Sequence, residues 1–518
     1  MIERLTNSQD QLENARRRIA RMLDAHGEWF YTQDAGNNPL SLNRDELDLR
    51  VSHGRLIFSC WSEQGTLVWR VDAWELTGER LALEVTRRMG AQRATLELVP
   101  RASVSATNEI VSRARHLNCA RMAKLACEQA RGAKVERATL SQGARRGQPG
   151  PYARILLRLS HERIAVTGTV EADRFAGTDA FLSSALIWFM RKRENSSSAP
   201  RIRKLWLIVQ KERIEPTTRL LALLRDDLRR AITLYEIDDA WHELAPIPLL
   251  EPSELWTKPP ARFRSTPVET EISEQAARIV ALAPHAIDAM RRRHGETLRY
   301  HGLPFARVRR VMNNERVWFG LDGSRSSGRR LLDESTEQEW TKLLDELQEH
   351  RRAGTDDHQH ALYKALPEAW LESMLRRDIT RLDPGLRLAP LHAQFRASPS
   401  HGAGARPIDL LALRRDGRLV VIELKVSEDR EHVMQGADYW RQVEAHRRRG
   451  HITRARLFND AIITDEPPLV YLVAPTLRFH RSFRALAQTI DPVIEIYRFD
   501  INEDWRTGVR VMRRARVN

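Results

Sequence analysis

In the run Pro407-Ile408-Asp409-Leu410-Leu411-Ala412-Leu413-Arg414-Arg415-Asp416-Gly417-Arg418-Leu419-Val420-Val421-Ile422-Glu423-Leu424-Lys425-Val426, two apolar segments flank a turn signal at Arg415-Asp416-Gly417. The first segment, Pro407–Leu413, reads as a strand and Arg418–Val426 as the strand returning from it. Nearly every residue of both is apolar, as expected in the middle of a sheet covered on both faces. Into this hairpin the sequence places Asp409, Glu423 and Lys425. Burying three ionisable groups is costly unless they pair with one another or hold a metal.

Strand periodicity projects Glu423 and Lys425 from one face. A two-residue turn at Asp416-Gly417 would put Asp409 level with Leu424, on the opposite face from Glu423. A three-residue loop, Arg415-Asp416-Gly417, with Gly417 left-handed, brings Asp409 opposite Glu423. That register is the one expected if the two carboxylates share a cation. Carboxylates from adjacent strands, with the Leu424 carbonyl as a further ligand, make a hard oxygen site suited to Mg²⁺ or Mn²⁺. Such a metal would activate a water and neutralise charge at a phosphoryl transition state. Lys425 would hold the attacking water or the phosphate as a compact point charge, a role that suits Lys better than Arg. The chain carries 75 Arg and 9 Lys, so a Lys here stands out. For the isolated pattern, the alternative is a buried salt bridge between Lys425 and one carboxylate.

The spacing of Pro407-Ile408-Asp409 and Glu423-Leu424-Lys425, fourteen positions from acid to acid across a hairpin, resembles the PD-(D/E)XK nuclease superfamily. Downstream, Gln435 and Tyr439 form an (i, i+4) pair on one helical face, similar to the Gln-x-x-x-Tyr motif of RecB-like members. Upstream, the helix Pro367-Glu368-Ala369-Trp370-Leu371-Glu372-Ser373-Met374-Leu375 corresponds to one from which a Glu often joins the family's site. Glu372, nearer the helix middle, is the expected residue and Glu368 the alternative; for either, a solvated helix-surface carboxylate is the competing reading. From Gly385 to Lys425 the run is most similar to NucS-type (DUF91-type) endonuclease domains. The resemblance covers about residues 360–475. It implies a restriction-endonuclease-like α/β core with a mixed sheet over 356–518, and metal-dependent phosphodiester hydrolysis with Asp409, Glu423, Lys425, Glu372, Gln435 and Tyr439 at the site. Segments at Leu469–Pro475, 480–490 and Val493–Phe499 read as the strand, helix and strand that would complete that core.

Working outward, the chain is expected to be an α/β multidomain protein. Residues 1–105 read as a helix (1–26) followed by a β-rich domain, with short strands from Trp29 to Pro100 punctuated by Gly54, Gly65, Gly78 and Gly90. Residues 106–245 read as an α/β domain: a helix at 108–131, strands at 134–141 and 152–170, an apolar helix at 178–192, strand Leu205–Val209, a helix at 216–231 and strand Ile232–Ile237. That order parallels the 356–518 core. If Val170 is laid on Val426, Thr169 falls at Lys425, Thr167 at Glu423 and Ile155 near Asp409. The segment would then be a nuclease-like domain without a metal site, able only to bind or position substrate; an unrelated α/β domain has the same order. Ser196–Pro200 and the Pro-rich run 246–267 read as linkers. Residues 246–355 would otherwise hold a small α+β region: a helix at 271–293, two strands around 297–322 and a charged helix at 335–352. The loop at 323–330 has the outer spacing of a phosphate-binding loop but lacks its Lys-Ser/Thr ending, so a nucleotide site is not expected.

Composition sets the outer limits. With 518 residues, 42% apolar and 30% charged, the chain suits several soluble domains. Its +15 net charge and pI near 10.2 favour polyanionic partners, although Arg-rich composition alone gives the same number. Residues 356–518 carry +5 of that charge, so it is spread along the chain. Arg447-Arg448-Arg449 could grip phosphates or complement a helix dipole. Cys60, Cys119 and Cys127 form no disulfide framework and lack metal-ligand spacing, and no run reaches membrane-spanning length. A reducing cytoplasm is the natural setting. The function expected is a Mg²⁺-dependent endonuclease with nucleic acid as partner, DNA before RNA, no membrane, and a homodimer allowed. The competing classes are a catalytically silent nucleic-acid-binding protein of the same fold, and a ribonuclease or defence effector.

Overall fold

The computed structural model describes the chain except for residues 1, 7, 34–39, 63–64, 88–89, 144–147, 172–176, 195–200, 239–240, 258–271, 293–294, 312–313, 322–328, 390–407 and 460. The linker at Ser196–Pro200, most of the loop at 323–330, part of the Pro-rich run and Pro407 therefore lie outside the described residues. Helices and four sheets, antiparallel and mixed, make an α/β multidomain protein. Contacts divide it into two interleaved compact units: Met1–Asp173 with Lys192–Ile214 and Ile232–Pro248, and Arg174–Arg191 with Glu215–Ala231 and Leu249–Asn518.

The first unit opens on β1 (Glu3–Arg4) and α1 (Gln9–Asp24), followed by β2 (Glu28–Gln33), β3 (Leu40–Asn43), β4 (Leu47–Ser52), β5 (Arg55–Ser62), β6 (Gly65–Thr77), β7 (Arg80–Arg87) and β8 (Gln92–Pro100). These strands form one antiparallel sheet, ordered β3-β2-β8-β7-β6-β5-β4 with β1 on β6. Leu12, Ala15, Ile19 and Leu23, at helical spacing on α1, are buried in one cluster with Trp29, Phe58, Trp69 and Leu83 of the sheet. Then come α2 (Val104–Gln129), β9 (Lys134–Gln142), β10 (Pro149–Arg158), β11 (Arg163–Thr169), α3 (Thr178–Glu194), β12 (Ile202–Val209), α4 (Lys211–Leu221), α5 (Asp226–Arg230), β13 (Ile232–Ile237) and β14 (Leu244–Ile247). The second sheet runs β14-β13-β12-β11-β10-β9, with β11, β12 and β13 parallel and its outer pairs antiparallel. The α2 residues Cys119, Met122 and Ala126 are buried with Ile155, Val166 and Ile208 of this sheet.

The second unit contains α6 (Glu274–Leu282), β15 (Ile287–Arg292), β16 (Gly295–Tyr300), β17 (Leu303–Val311), β18 (Asn314–Phe319), β19 (Arg330–Leu331) and α7 (Glu337–His350). The strands form an antiparallel meander. The helix expected over 271–293 ends at Leu282, since Pro284 cannot continue it, and β15 occupies its second half. The two strands expected around 297–322 are three. His301 and Gly302, both at positive φ, make the two-residue loop that separates β16 from β17.

The chain continues through α8 (Ala361–Lys364), α9 (Pro367–Arg377), β20 (Leu386–Leu388), β21 (Leu410–Arg414), β22 (Leu419–Leu424), α10 (His432–Arg448), α11 (His451–Arg454), β23 (Leu469–Pro475), α12 (Phe483–Ala487), β24 (Ile496–Ile501) and β25 (Val511–Arg516). Their sheet runs β20-β21-β22-β23-β24-β25, with β22, β23 and β24 parallel and its outer pairs antiparallel. Its even-numbered β21 and β22 residues, Leu410, Ala412, Val420, Ile422 and Leu424, are buried with Trp370, Leu371 and Leu375 of α9. The odd-numbered Leu411, Leu413, Leu419 and Val421 are buried with Tyr439 and Val443 of α10. This two-sided cover explains the near-continuous apolar runs.

The second and fourth sheets thus share one topology. Each has three antiparallel strands, a helix, a parallel strand, a further helical connection, another parallel strand and an antiparallel edge, with a helix before the first strand. The register corrects one expectation. Thr167 pairs with Arg154, not Ile155, so Arg154 stands where Asp409 stands in the fourth sheet. The reason is loop length. Arg158 pairs with Arg163 across four residues, whereas the hairpin after Arg414 closes across three.

Candidate metal centre

The hairpin β21–β22 sets the geometry. Leu410 pairs with Ile422 and Leu413 with Leu419. The Arg414 N–H donates to the Arg418 carbonyl (2.9 Å), leaving Arg415-Asp416-Gly417 as a three-residue loop with Gly417 at φ +82°. One step beyond Leu410, this register sets Asp409 opposite Glu423, the arrangement a shared cation requires. Because the pair at 414 and 418 is hydrogen-bonded, alternation makes 409 and 423 a non-hydrogen-bonded pair, the type with Cα atoms only about 4.5 Å apart and side chains closest.

Glu423 and Lys425 are almost wholly buried, at 3% and 5% exposed. The Lys425 Nζ lies 3.3 Å from Glu423 Oε1 and 3.2 Å from Asp429 Oδ2. The Asp409 carboxylate accepts the Leu424 N–H at Oδ2 (2.8 Å). Glu423 Oε2 is buried with no hydrogen-bond partner among the described residues. Burial pushes the Asp409 carboxyl up to about 7; the Leu424 N–H and Lys425 oppose that rise, while Glu372 and Glu368 add to it. Burial, then repulsion from Asp409, holds the Glu423 carboxyl well above its ordinary range. Lys425 behaves oppositely. Burial favours its neutral form, but Glu423, Asp429, Glu368 and Asp409 outweigh it and keep the ammonium charged.

Two opposed carboxylates, one buried with an orphaned oxygen and one half-buried, fit a hard divalent cation that keeps much of its water shell. Among the described residues no three His, Cys, Asp or Glu side chains converge closely enough to hold a cation unaided. Two carboxylates, a backbone carbonyl and water form the donor set this site can offer. Leu424 itself points into the α9-side core and presents only its backbone.

The two α9 glutamates differ in their partners. Glu372 is engaged by Arg376 Nε (2.6 Å) and faces Arg299 Nη1 at 3.6 Å, so two guanidinium groups neutralise it. Glu368, one turn earlier, acts electrostatically on Asp409, Glu423 and Lys425 together, whereas Glu372 acts on Asp409. On Asp409, where both glutamates act, Glu372 has the larger effect. Arg376 also donates from Nη2 to the Asp409 backbone carbonyl (3.0 Å), tying α9 to the strand end.

On α10, Gln435 donates to Asp179 Oδ2 (3.0 Å) and Glu431 Oε2 (3.3 Å), and its buried Oε1 has no hydrogen-bond partner. Tyr439 is buried in the α10-side core. Burial, then the charges of Glu423 and Asp409, raises its phenol and keeps it a proton donor. Sequence reasoning missed Asp429, Arg376 and His432. The His432 ring lies 3.2 Å from the Glu423 carbonyl and stacks on Phe479. Burial lowers it to about 4, so it is neutral. Asp429 follows the strand in an acidic turn, where no periodicity marks it.

No family model and no curated protein matches this chain. It is similar to a solved structure described as "Structure of EndoMS-dsDNA2 complex", at 15% identity and a TM-score of 0.16, over 46% of this chain and 97% of that one. A likeness of that size carries no argument about fold or activity. No helix among the described residues is long and apolar enough to cross a membrane.

Proposed function

We propose that the chain is a metal-dependent phosphodiester hydrolase acting on nucleic acid, with DNA as the first substrate to test and with Asp409, Glu423 and Lys425 as its reactive centre. The observation that carries this is the mutually opposed pair of half-buried Asp409 and buried Glu423, with Glu423 Oε2 unsatisfied among the described residues and Lys425 held charged beside it. One ammonium cannot neutralise two carboxylates, so the ion pair between Lys425 and Glu423 leaves a negative charge that a divalent cation would offset.

Asp409, Glu423 and the Leu424 carbonyl would hold Mg²⁺ or Mn²⁺, and such a cation supplies Lewis acidity and lowers the pKa of a bound water. The chain's own groups do the rest. Lys425 orients the attacking water or steadies the anionic phosphate, and its contact with Asp429 limits its rotamers. Glu368 adds negative charge beside Asp409, Glu423 and Lys425, which would favour a bound cation. Arg376 fixes the strand end that bears Asp409. In hydrolysis the water oxygen bonds to phosphorus, the ester P–O bond opposite it breaks, and the water proton ends on the leaving oxygen.

The test is cleavage of labelled single-stranded, duplex, flapped and mismatched DNA, and of RNA, in Mg²⁺, Mn²⁺ or EDTA. Asp409→Ala, Glu423→Ala and Lys425→Ala should each lower the rate by about 10²-fold or more, with binding in Ca²⁺ retained. Glu368→Gln should cost more activity than Glu372→Gln. Cleavage undiminished in Asp409→Ala or in EDTA would overturn the assignment; metal-independent binding without turnover would favour a silent nucleic-acid-binding protein.

A further inference from the structure

We infer that the chain is an internal tandem duplication that pairs with itself, and that it cuts one strand per engagement because only its second copy keeps a hydrolytic centre. The one-strand statement rests on the hydrolase reading above; the self-pairing does not.

The duplication is carried by topology. Sheets β9–β14 and β20–β25 agree in strand order, strand direction and the places where helices are inserted. Each is preceded by an antiparallel meander, β4–β8 and β15–β19. Such agreement across six strands is more than the common order of an α/β segment requires.

In the first copy the reactive positions are filled by groups that cannot hold a cation. Thr167 stands at Glu423, Thr169 at Lys425 and Arg154 at Asp409, and the register pairs Arg154 with Thr167 as it sets Asp409 against Glu423. The two hydroxyls are already committed. Thr167 Oγ1 donates to the Ala153 carbonyl (2.7 Å), and Thr169 Oγ1 donates to Gln210 Oε1 (2.6 Å). The Gln210 amide donates back to the Thr169 carbonyl (3.2 Å). Where the second copy leaves a carboxylate oxygen orphaned, the first copy closes a neutral network.

The self-pairing is carried by contacts inside the second compact unit, which contains Arg174–Arg191 and Glu215–Ala231 of the first copy. Val170 laid on Val426 puts Asp179 on Gln435 with no gap, and these two equivalent side chains hydrogen-bond to each other at 3.0 Å. A second contact repeats the pattern. Leu224 lies between α4 and β13 as Ile490 lies between α12 and β24, and the two form an antiparallel bridge. Its bonds are reciprocal: Arg225 N–H to the Thr489 carbonyl and Asp491 N–H to the Leu223 carbonyl, both 2.9 Å. Corresponding segments meeting at two separate points, within two residues of strict register at the second, is what a two-fold interface makes between identical subunits. Here one chain supplies both sides, so the surface a second copy would use is already occupied.

Three measurements test this with the full chain. Sedimentation at assay concentration should give the 59.8 kDa monomer; a stable dimer would overturn self-pairing. Oxidation of the D179C/Q435C variant should link positions 179 and 435 within one chain; a link between chains, or none, would overturn it. With Mn²⁺, a supercoiled plasmid should accumulate as nicked circle, and duplexes carrying a different dye on each strand should lose one strand first. Linear plasmid forming in step with the first nick would overturn the one-strand claim. No cleavage of any nucleic acid would remove the hydrolase reading and that claim together, while the linkage result would still decide self-pairing.

Discussion

Half-buried Asp409 faces buried Glu423, and their cost is what makes them informative. Burial pushes the Asp409 carboxyl from its ordinary value to about 7, and a carboxyl raised on folding favours the fold at low pH. Its contribution is complete below about pH 4 and is lost as pH rises through 7. In EDTA at pH 8, Asp409→Asn should therefore raise Tm by a few degrees, on the order of 1 kcal/mol or more, while abolishing cleavage. The gain should vanish near pH 4. His301 and His446, lowered by burial to about 3 and 4, change stability with the opposite slope as pH falls below 6.5. Both proteins carry them, so the difference between variant and parent isolates Asp409. Added Mn²⁺ should raise the parent's Tm at pH 8 and leave the variant's nearly unchanged; a variant less stable than the parent in EDTA would contradict the assigned strain. At this scale much was legible from spacing alone, because two strands and a loop length dictate which acids face each other. The partners of Glu372 were not, because Arg376 and Arg299 engage it, one of them from a strand more than seventy positions away.

Elements were readable where one physical signal dominated. The three-residue loop followed from demanding that Asp409 and Glu423 share a face, and the Arg414 to Arg418 hydrogen bond realises it. The helix over 271–293 failed because apolar residues continue past Pro284 with either period, and tertiary pairing with β16 selected the strand. Edge strand β20 went unread because three residues are too short to show a period, and β25 because its exposure removes the apolar signature. A buried cation holds one junction that no periodicity reveals. Arg351, fully buried, donates to the carbonyls of Tyr300, His301, Leu362 and Ala365 at 2.6–2.9 Å. Its guanidinium also sits 4.8 Å over the Trp370 ring. It thus ties the β16–β17 turn to α8 and the start of α9. Lysine has three donors on a point charge and cannot span four carbonyls in one plane. Arg351→Lys should cost about 3 kcal/mol or more in chemical denaturation, and a loss below about 1 kcal/mol would show the fork to be dispensable.

At the scale of the whole molecule, the signal that went furthest was a helix without a polar side. In α3, every residue from Phe181 to Phe189 is buried, and most of α10 is buried as well. A helix apolar on all faces needs partners all around it. Sequence showed the apolar run at 178–192 but not its partners, since periodicity reports how much of a helix is covered and not by what. The compact units supply the answer in part: Arg174–Arg191 and Glu215–Ala231 belong with Leu249–Asn518, although the chain between them belongs elsewhere. Chain order and folding unit therefore disagree, and that disagreement makes a prediction. A fragment beginning at Leu249 would keep Asp409, Glu423, Lys425 and the whole β20–β25 sheet, and from sequence alone would look like a complete nuclease domain. It would lack the partner of Gln435 at Asp179 and the partner of Ile490 at Leu224. The apolar surface those segments cover would meet water at about 25 cal/mol per Å², enough over two helices to leave the fragment unstable or self-associating. Size-exclusion chromatography and thermal melting of residues 249–518 beside the full chain decide this. A monomeric fragment melting at the parent temperature would mean that the two inserted segments are guests of the second unit and not part of its fold.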